Sequence, residues 1–106
     1  MNKVVLITGG ARGIGSAIAL ELAKHGYDIV INYLTSKQPA KELKEKIESQ
    51  YHVRCLTICA DVSDVDQVNI MVSEIEEKMG GVDILINNAA VDLSNLFHLK
   101  NAEEFK

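Results

Sequence analysis

Ile7-Thr8-Gly9-Gly10-Ala11-Arg12-Gly13-Ile14-Gly15-Ser16 is the stretch on which the reading of this chain turns. It continues Val4, Val5, Leu6 and Ile7, an uninterrupted apolar run of the kind carried by a parallel-sheet strand buried on both faces. The glycines at 9, 13 and 15 lack a Cβ, so the main chain can turn sharply and let an anionic group come close. A helix is expected next, with Ile14, Ala17, Ile18 and Leu22 on one face and Gly26 as its stop. Its free N–H groups and positive dipole end would face the loop, an arrangement that holds phosphate.

The spacing excludes two common phosphate binders. A P-loop needs Gly-Lys-Ser/Thr at the helix start, whereas this chain has Gly13-Ile14-Gly15-Ser16. The pattern G-x-G-x-x-G fails because Gly13 and Gly15 are followed by Ile18. What stands is Thr-Gly-x-x-x-Gly-x-Gly.

Downstream, Asp28 to Tyr33 reads as a second buried strand through Ile29, Val30 and Ile31. Ser36 to Gln50 reads as a helix with Pro39 in its first turn, an apolar stripe at Ala40, Leu43 and Ile47, and a solvated face of pairs such as Glu42 with Lys46. Val53 to Ala60 is a third strand ending at Asp61-Val62. Ser63 is expected to cap the next helix, with Asp66 at the capping-box position and Val65, Val68, Val72, Ile75 and Met79 as its stripe. Gly80-Gly81 stops it, and Val82 to Asn87 supplies a fourth strand. Strands alternating with helices predict a Rossmann-type α/β fold, a parallel sheet with helices on both faces and strand order 3-2-1-4. Beyond it, Asn87-Asn88-Ala89-Ala90 opens a loop carrying Leu93, Leu96, Phe97 and Leu99, and Asn101 with Glu104 reads as the capping box of another helix. With four strands only, Ile84, Leu85 and Ile86 would form an open apolar edge, so a homo-oligomer or association through that edge is expected.

Composition bounds the rest. The 106 residues are expected to form one domain, 47% hydrophobic and 25% charged as in an ordinary soluble protein, but short for a doubly wound nucleotide-binding fold. A net charge of −4 argues against nucleic acid as a partner. No apolar run approaches the ~20 residues of a membrane span, and Met1-Asn2-Lys3 does not open a signal peptide, so a cytoplasmic location is expected. Cys55 and Cys59 would lie on one face of a strand, roughly 13 Å apart at ~3.3 Å per residue, too far for a disulfide; both are expected to pack in the core. No metal spacing is present, and His25, His52 and His98 are assigned surface or cap roles.

Taken together, the Thr8-Gly9-x3-Gly13-Ile14-Gly15 loop, the second strand ending at 32–33, Asp61-Val62 and Asn87-Asn88-Ala89 resemble the first half of a short-chain dehydrogenase/reductase, over essentially all 106 residues. Within that family, the loop and Val30-Ile31-Asn32-Tyr33 look most like the 3-oxoacyl-(acyl-carrier-protein) reductase branch. The resemblance implies a single dinucleotide-binding domain over 1–106, incomplete at its C-terminal end. It implies that Gly9, Gly13, Gly15 and the Ile14 amide hold a pyrophosphate, and that Asp61 and Val62 line the adenine pocket. It further implies that Asn87 braces the central strands and that Ala89 packs by the ribose. Asn88 reads as a turn residue, and Ala90 stands where the family usually has Gly.

Cofactor choice follows from charge. A site for NAD places a carboxylate at the end of the second strand, about 20 residues after the loop, to bind the ribose 2′-hydroxyl. Here Asn32 and Tyr33 occupy that place, and Arg12 could meet a 2′-phosphate, so NADP(H) is favoured over NAD(H). The family's acid catalyst, the Tyr of a Tyr-x3-Lys motif helped by Ser and Asn, lies beyond the Asn-Asn-Ala segment, so no catalytic residue is expected within this chain. Tyr33-Leu34-Thr35-Ser36-Lys37 spells that motif but would straddle a loop and a helix start. The leading expectation is thus the cofactor-binding half of a carbonyl reductase, inactive by itself. The alternatives are a non-catalytic nucleotide-binding or interaction module and an S-adenosylmethionine methyltransferase fragment, the latter disfavoured by the missing acidic end of strand two.

Overall fold

A computed structural model describes residues 2–89 and 103–105. Its elements run β1 (Val4–Thr8), α1 (Gly13–Lys24), β2 (Asp28–Tyr33), α2 (Lys37–Tyr51), β3 (Cys55–Cys59), α3 (Val65–Met79), β4 (Ile84–Asn87) and β5 (Glu103–Phe105). The sheet has the order β3-β2-β1-β4-β5, with every neighbouring pair parallel. The predicted order 3-2-1-4 is present. The fifth strand corrects two expectations: Glu103–Phe105 pairs with Ile84–Ile86 where a helix was predicted, and the β4 edge is therefore occupied. An uncovered parallel edge offers a row of main-chain donors and acceptors, and pairing satisfies them. Ala90, the apolar positions 93, 96, 97 and 99, His98 and Asn101 lie outside the described residues.

Strand alternation sorts the apolar residues onto two faces. Val4, Leu6, Val30, Ile58 and Leu85 pack with Val68, Met71, Ile75 and Met79 of α3. Val5, Ile7, Ile29 and Ile31 pack on the opposite face with α1 and α2. Each fully buried large aliphatic contributes about 1.5–3 kcal/mol, so the central strands carry most of the hydrophobic stabilisation. Ala40, Leu43 and Ile47 are the buried stripe of α2 as predicted.

Three faces differ from expectation. The buried face of α1 is Gly15, Ala19 and Ala23, with Ile18 and Leu22 flanking it, whereas Ile14 is 73% exposed and Ala17 faces solvent. Close approach of Gly15 to the loop turns the small residues inward. On α3, Met71 is buried and Val65 is exposed, because the cap is Asp64: its Oδ1 accepts from the Asp66 and Gln67 N–H groups at 3.0 and 3.4 Å. Ser63 instead bonds back to Asp61. Of the cysteines, Cys55 is buried, and burial pushes its thiol up to about 12, while Cys59 is exposed at the strand end and donates to the Leu34 carbonyl at 3.3 Å.

Polar straps close the end of the sheet where β2 and β4 begin. Asp83 Oδ2 accepts the Val4 N–H at 2.7 Å. Asp28, 1% exposed, accepts from the Arg54 N–H and Nε at 2.9 Å each and from Asn2 Nδ2 at 3.1 Å. Burial raises its pKa, but the Arg54 backbone bond, the Asn2 and Arg54 side-chain bonds and the Arg54 charge outweigh it and hold the carboxyl below its ordinary value. A depressed folded pKa gives stability that is present above the unfolded carboxylate range and is lost as pH falls through the folded value. Urea unfolding is therefore expected to show stability declining below about pH 4. Arg54→Ala should cost about 1–2 kcal/mol at neutral pH, discounted for a half-exposed guanidinium, and should flatten the acid decline.

Candidate functional site

The C-terminal ends of β1, β2, β3 and β4 meet around one peptide, Gly9. Its N–H donates to Asn32 Oδ1 at 3.3 Å, and its carbonyl accepts from Asn88 Nδ2 at 3.2 Å. Asn32 Nδ2 donates to the Ala60 carbonyl at 3.0 Å, and the Asn32 carbonyl accepts the Gly10 N–H at 3.0 Å. Thr8, fully buried, donates through Oγ1 to Asn87 Oδ1 at 2.9 Å and accepts the Ala89 N–H at 3.2 Å. Asn87 thus sits against β1 in register with Thr8.

Two different constraints call for glycine in the loop. A Cβ on Gly15 would lie 2.6 Å from the Gly9 carbonyl oxygen and 2.8 Å from Gly10 Cα, closer than real contacts allow. Gly13 has open space around it but a φ of +57°, the left-handed region. With Arg12 at the N-cap, the amides of Gly13, Ile14 and Gly15 begin the helix without intrahelical acceptors. The loop and helix end therefore make a cradle of N–H groups closed to side chains.

Two cavities flank this cradle. One, of about 230 Å³, is lined by Gly9, Asn32, Leu34, Ala60, Asp61, Val62 and Ala89. The second, of about 210 Å³, is lined by Arg12, Tyr33, Leu34, Thr35 and Ser36. Leu34, 56% exposed, borders both. Asp61 Oδ1 accepts the Ser63 hydroxyl at 2.6 Å and the Ser63 N–H at 2.9 Å, bonds that hold its carboxyl below the usual range. Asp61 is thus both a turn residue and a wall of the first cavity.

Of the residues singled out from the sequence, Gly9, Asn32, Asp61, Val62 and Ala89 meet at the first cavity, and Gly9, Arg12 and Tyr33 at the second. Asn32 is 3% exposed, and its amide is committed to Gly9 and Ala60. Tyr33 ends β2 and Lys37 opens α2, so this Tyr-x3-Lys does not share a helix face. His25 caps α1 and pairs with Glu21 at 3.0 Å, and His52 ends α2 with φ +54°. Among the described residues no group of three or more His, Cys, Asp or Glu could hold a metal, and no helix is long and apolar enough to cross a membrane. Sequence reasoning missed Thr8 and Asn88 as ties and Leu34 as a divider; side-chain bonds between distant segments leave no local pattern.

A family model for short chain dehydrogenases matches residues 3–106. The 3-oxoacyl-(acyl-carrier-protein) reductase of Staphylococcus aureus is 39% identical over 105 residues, covering 99% of this chain and 42% of that protein. L-Sorbose reductase from Gluconobacter frateurii, solved with NADPH and L-sorbose, matches with a TM-score of 0.79 at 36% identity, over 85% of this chain and 34% of its own. An alcohol dehydrogenase from Thermococcus sibiricus, solved with 5-hydroxy-NADP, gives a TM-score of 0.76 at 30% identity, over 81% and 36%. The chain thus spans about two fifths of the length of the curated relatives quoted.

The two glycine constraints are separable. Gly15→Ala is expected to lower stability by about 1–3 kcal/mol, because main-chain atoms must move. Gly13→Asn, a residue that tolerates the left-handed region, should lose under about 1 kcal/mol. Urea denaturation of both variants checks the contrast.

Proposed function

The chain belongs to the short chain dehydrogenase family, and from that premise we propose that residues 1–106 form part of the dinucleotide-binding domain of an oxidoreductase that reduces a carbonyl to an alcohol with NADP(H). The family match removes the methyltransferase alternative. The resemblance to 3-oxoacyl-(acyl-carrier-protein) reductases makes a 3-oxoacyl thioester our candidate substrate.

The cleft fits such a cofactor. The amides of Gly13, Ile14 and Gly15 would hold the pyrophosphate, whose approach no side chain on Gly13 or Gly15 obstructs. Asp61 would accept from the adenine amine through the oxygen that Ser63 does not use, and Val62 and Leu34 would cover the ring. Ala89 would pack by the ribose. When bound, the nicotinamide supplies the hydride; the residues present here bind and orient, and none is proposed to donate the proton.

The observation that carries the NADP(H) preference is the second cavity. Its lining holds no carboxylate, and the Arg12 guanidinium beside it has no hydrogen bond or ion pair among the described residues. The start of α2, with Ser36 as a cap whose side chain makes no capping bond and no acidic residue in the first turn, adds its positive dipole end. The Arg12 charge and the helix start both favour a 2′-phosphate. Two free thiols fit a reducing, cytoplasmic compartment.

Calorimetric titration is expected to give NADPH binding tighter than NADH. Arg12→Ala should weaken NADPH by roughly 10–50-fold and leave NADH within about twofold. Equal loss for both would remove the 2′-phosphate role, and binding of neither by the unaltered chain would overturn the nucleotide reading.

A further inference from the structure

Gly9 and Ala60, main-chain walls of the adenosine cavity, stand on different strands, and one side chain joins them. The Asn32 carboxamide reaches from β2 to accept the Gly9 N–H and donate to the Ala60 carbonyl, while its own carbonyl takes the Gly10 N–H. We infer that Asn32 is a positioning residue for the dinucleotide: it spaces the phosphate loop from the adenine wall, so that the cleft is formed before the cofactor arrives. This rests on the functional reading above.

The chemistry of the site selects asparagine. One neighbour is a donor and the other an acceptor, so the strap needs an acceptor and a donor on a single short side chain. At 3% exposure, water does not replace either bond. An ionised aspartate keeps the acceptor for Gly9 but sets a carboxylate oxygen against the Ala60 carbonyl. A protonated aspartic acid restores both bonds, its O–H donating to Ala60.

That difference gives the test. NADPH dissociation constants are measured for the unaltered chain, Asn32→Asp and Asn32→Ala at about pH 8 and about pH 5. The charged and ionisable side chains around the strap are Arg12 on the loop, Tyr33 on β2, and Cys59 and Asp61 at and beyond the end of β3. They are shared by all three proteins, as is the 2′-phosphate, so the variant-to-parent ratio removes them. For Asn32→Asp the ratio is expected to be roughly tenfold at the higher pH and to narrow to about twofold at the lower. For Asn32→Ala it should stay near tenfold at both. Without nucleotide, exchange of the Gly9 amide should speed up in Asn32→Ala, which removes its acceptor, and not in Asn32→Asp, which keeps it. A parent that binds NADPH alongside variants that bind it equally well, or an Asn32→Asp ratio that does not change with pH, overturns the role. If Asn32→Asp does not fold at the higher pH, Asn32→Ala carries the test: weaker binding supports the role and equal binding overturns it. Failure of the parent to bind either nucleotide removes the functional reading and this role with it, and is distinguished by the parent's own titration.

Discussion

Gly9 is held from both sides, its N–H by Asn32 and its carbonyl by Asn88. A glycine at φ +63° has much conformational freedom to lose, and two side-chain amides from distant segments supply the bonds that offset it. Once that peptide is fixed, the following turn delivers α1 close to the strand ends, and Gly15 fits beneath the Gly9 carbonyl. Helix, loop and strand ends then form one body. The first amides of α1 are left without intrahelical acceptors beside that body.

The two ends of the sheet are built differently. Where β2 and β4 begin, charged side chains do the tying: Asp28 with Arg54, and Asp83 with the Val4 amide. Around Gly9 the ties are neutral, through Asn32, Thr8, Asn87 and Asn88. A neutral network keeps its donors and acceptors across the pH range. Carboxylate–guanidinium ties are stronger per contact but respond to acid.

Much of this was legible in the sequence. Uninterrupted apolar runs at 4–7 and 29–31 announced buried parallel strands, and the alternation with helices gave the order through β4. The stripe of α2 was readable because Ala40, Leu43 and Ile47 stand alone among polar residues. The α1 face was not: Ile14 outranks Gly15 on any hydrophobic scale, yet proximity to the loop, a tertiary constraint, decides which residue turns inward. Asp64 won the cap from Ser63 because Asp61 already engaged the serine. The brace formed by Asn32 joins residues 23 and 28 positions away, and no local rule reports a bond of that range.

Leu34 and Gly9 line both cavities, so on the proposed reading adenine and the 2′ group would lie in neighbouring spaces that share the Leu34 side chain. The glycine loop and the Asn32 strap belong to the frame; on the proposed reading, the groups that would tell one nucleotide from another are the turn at 33–36 and Arg12. If that reading holds, a lineage or a protein engineer would change nucleotide preference through a few side chains on that turn, leaving the buried hydrogen-bonded frame inherited intact.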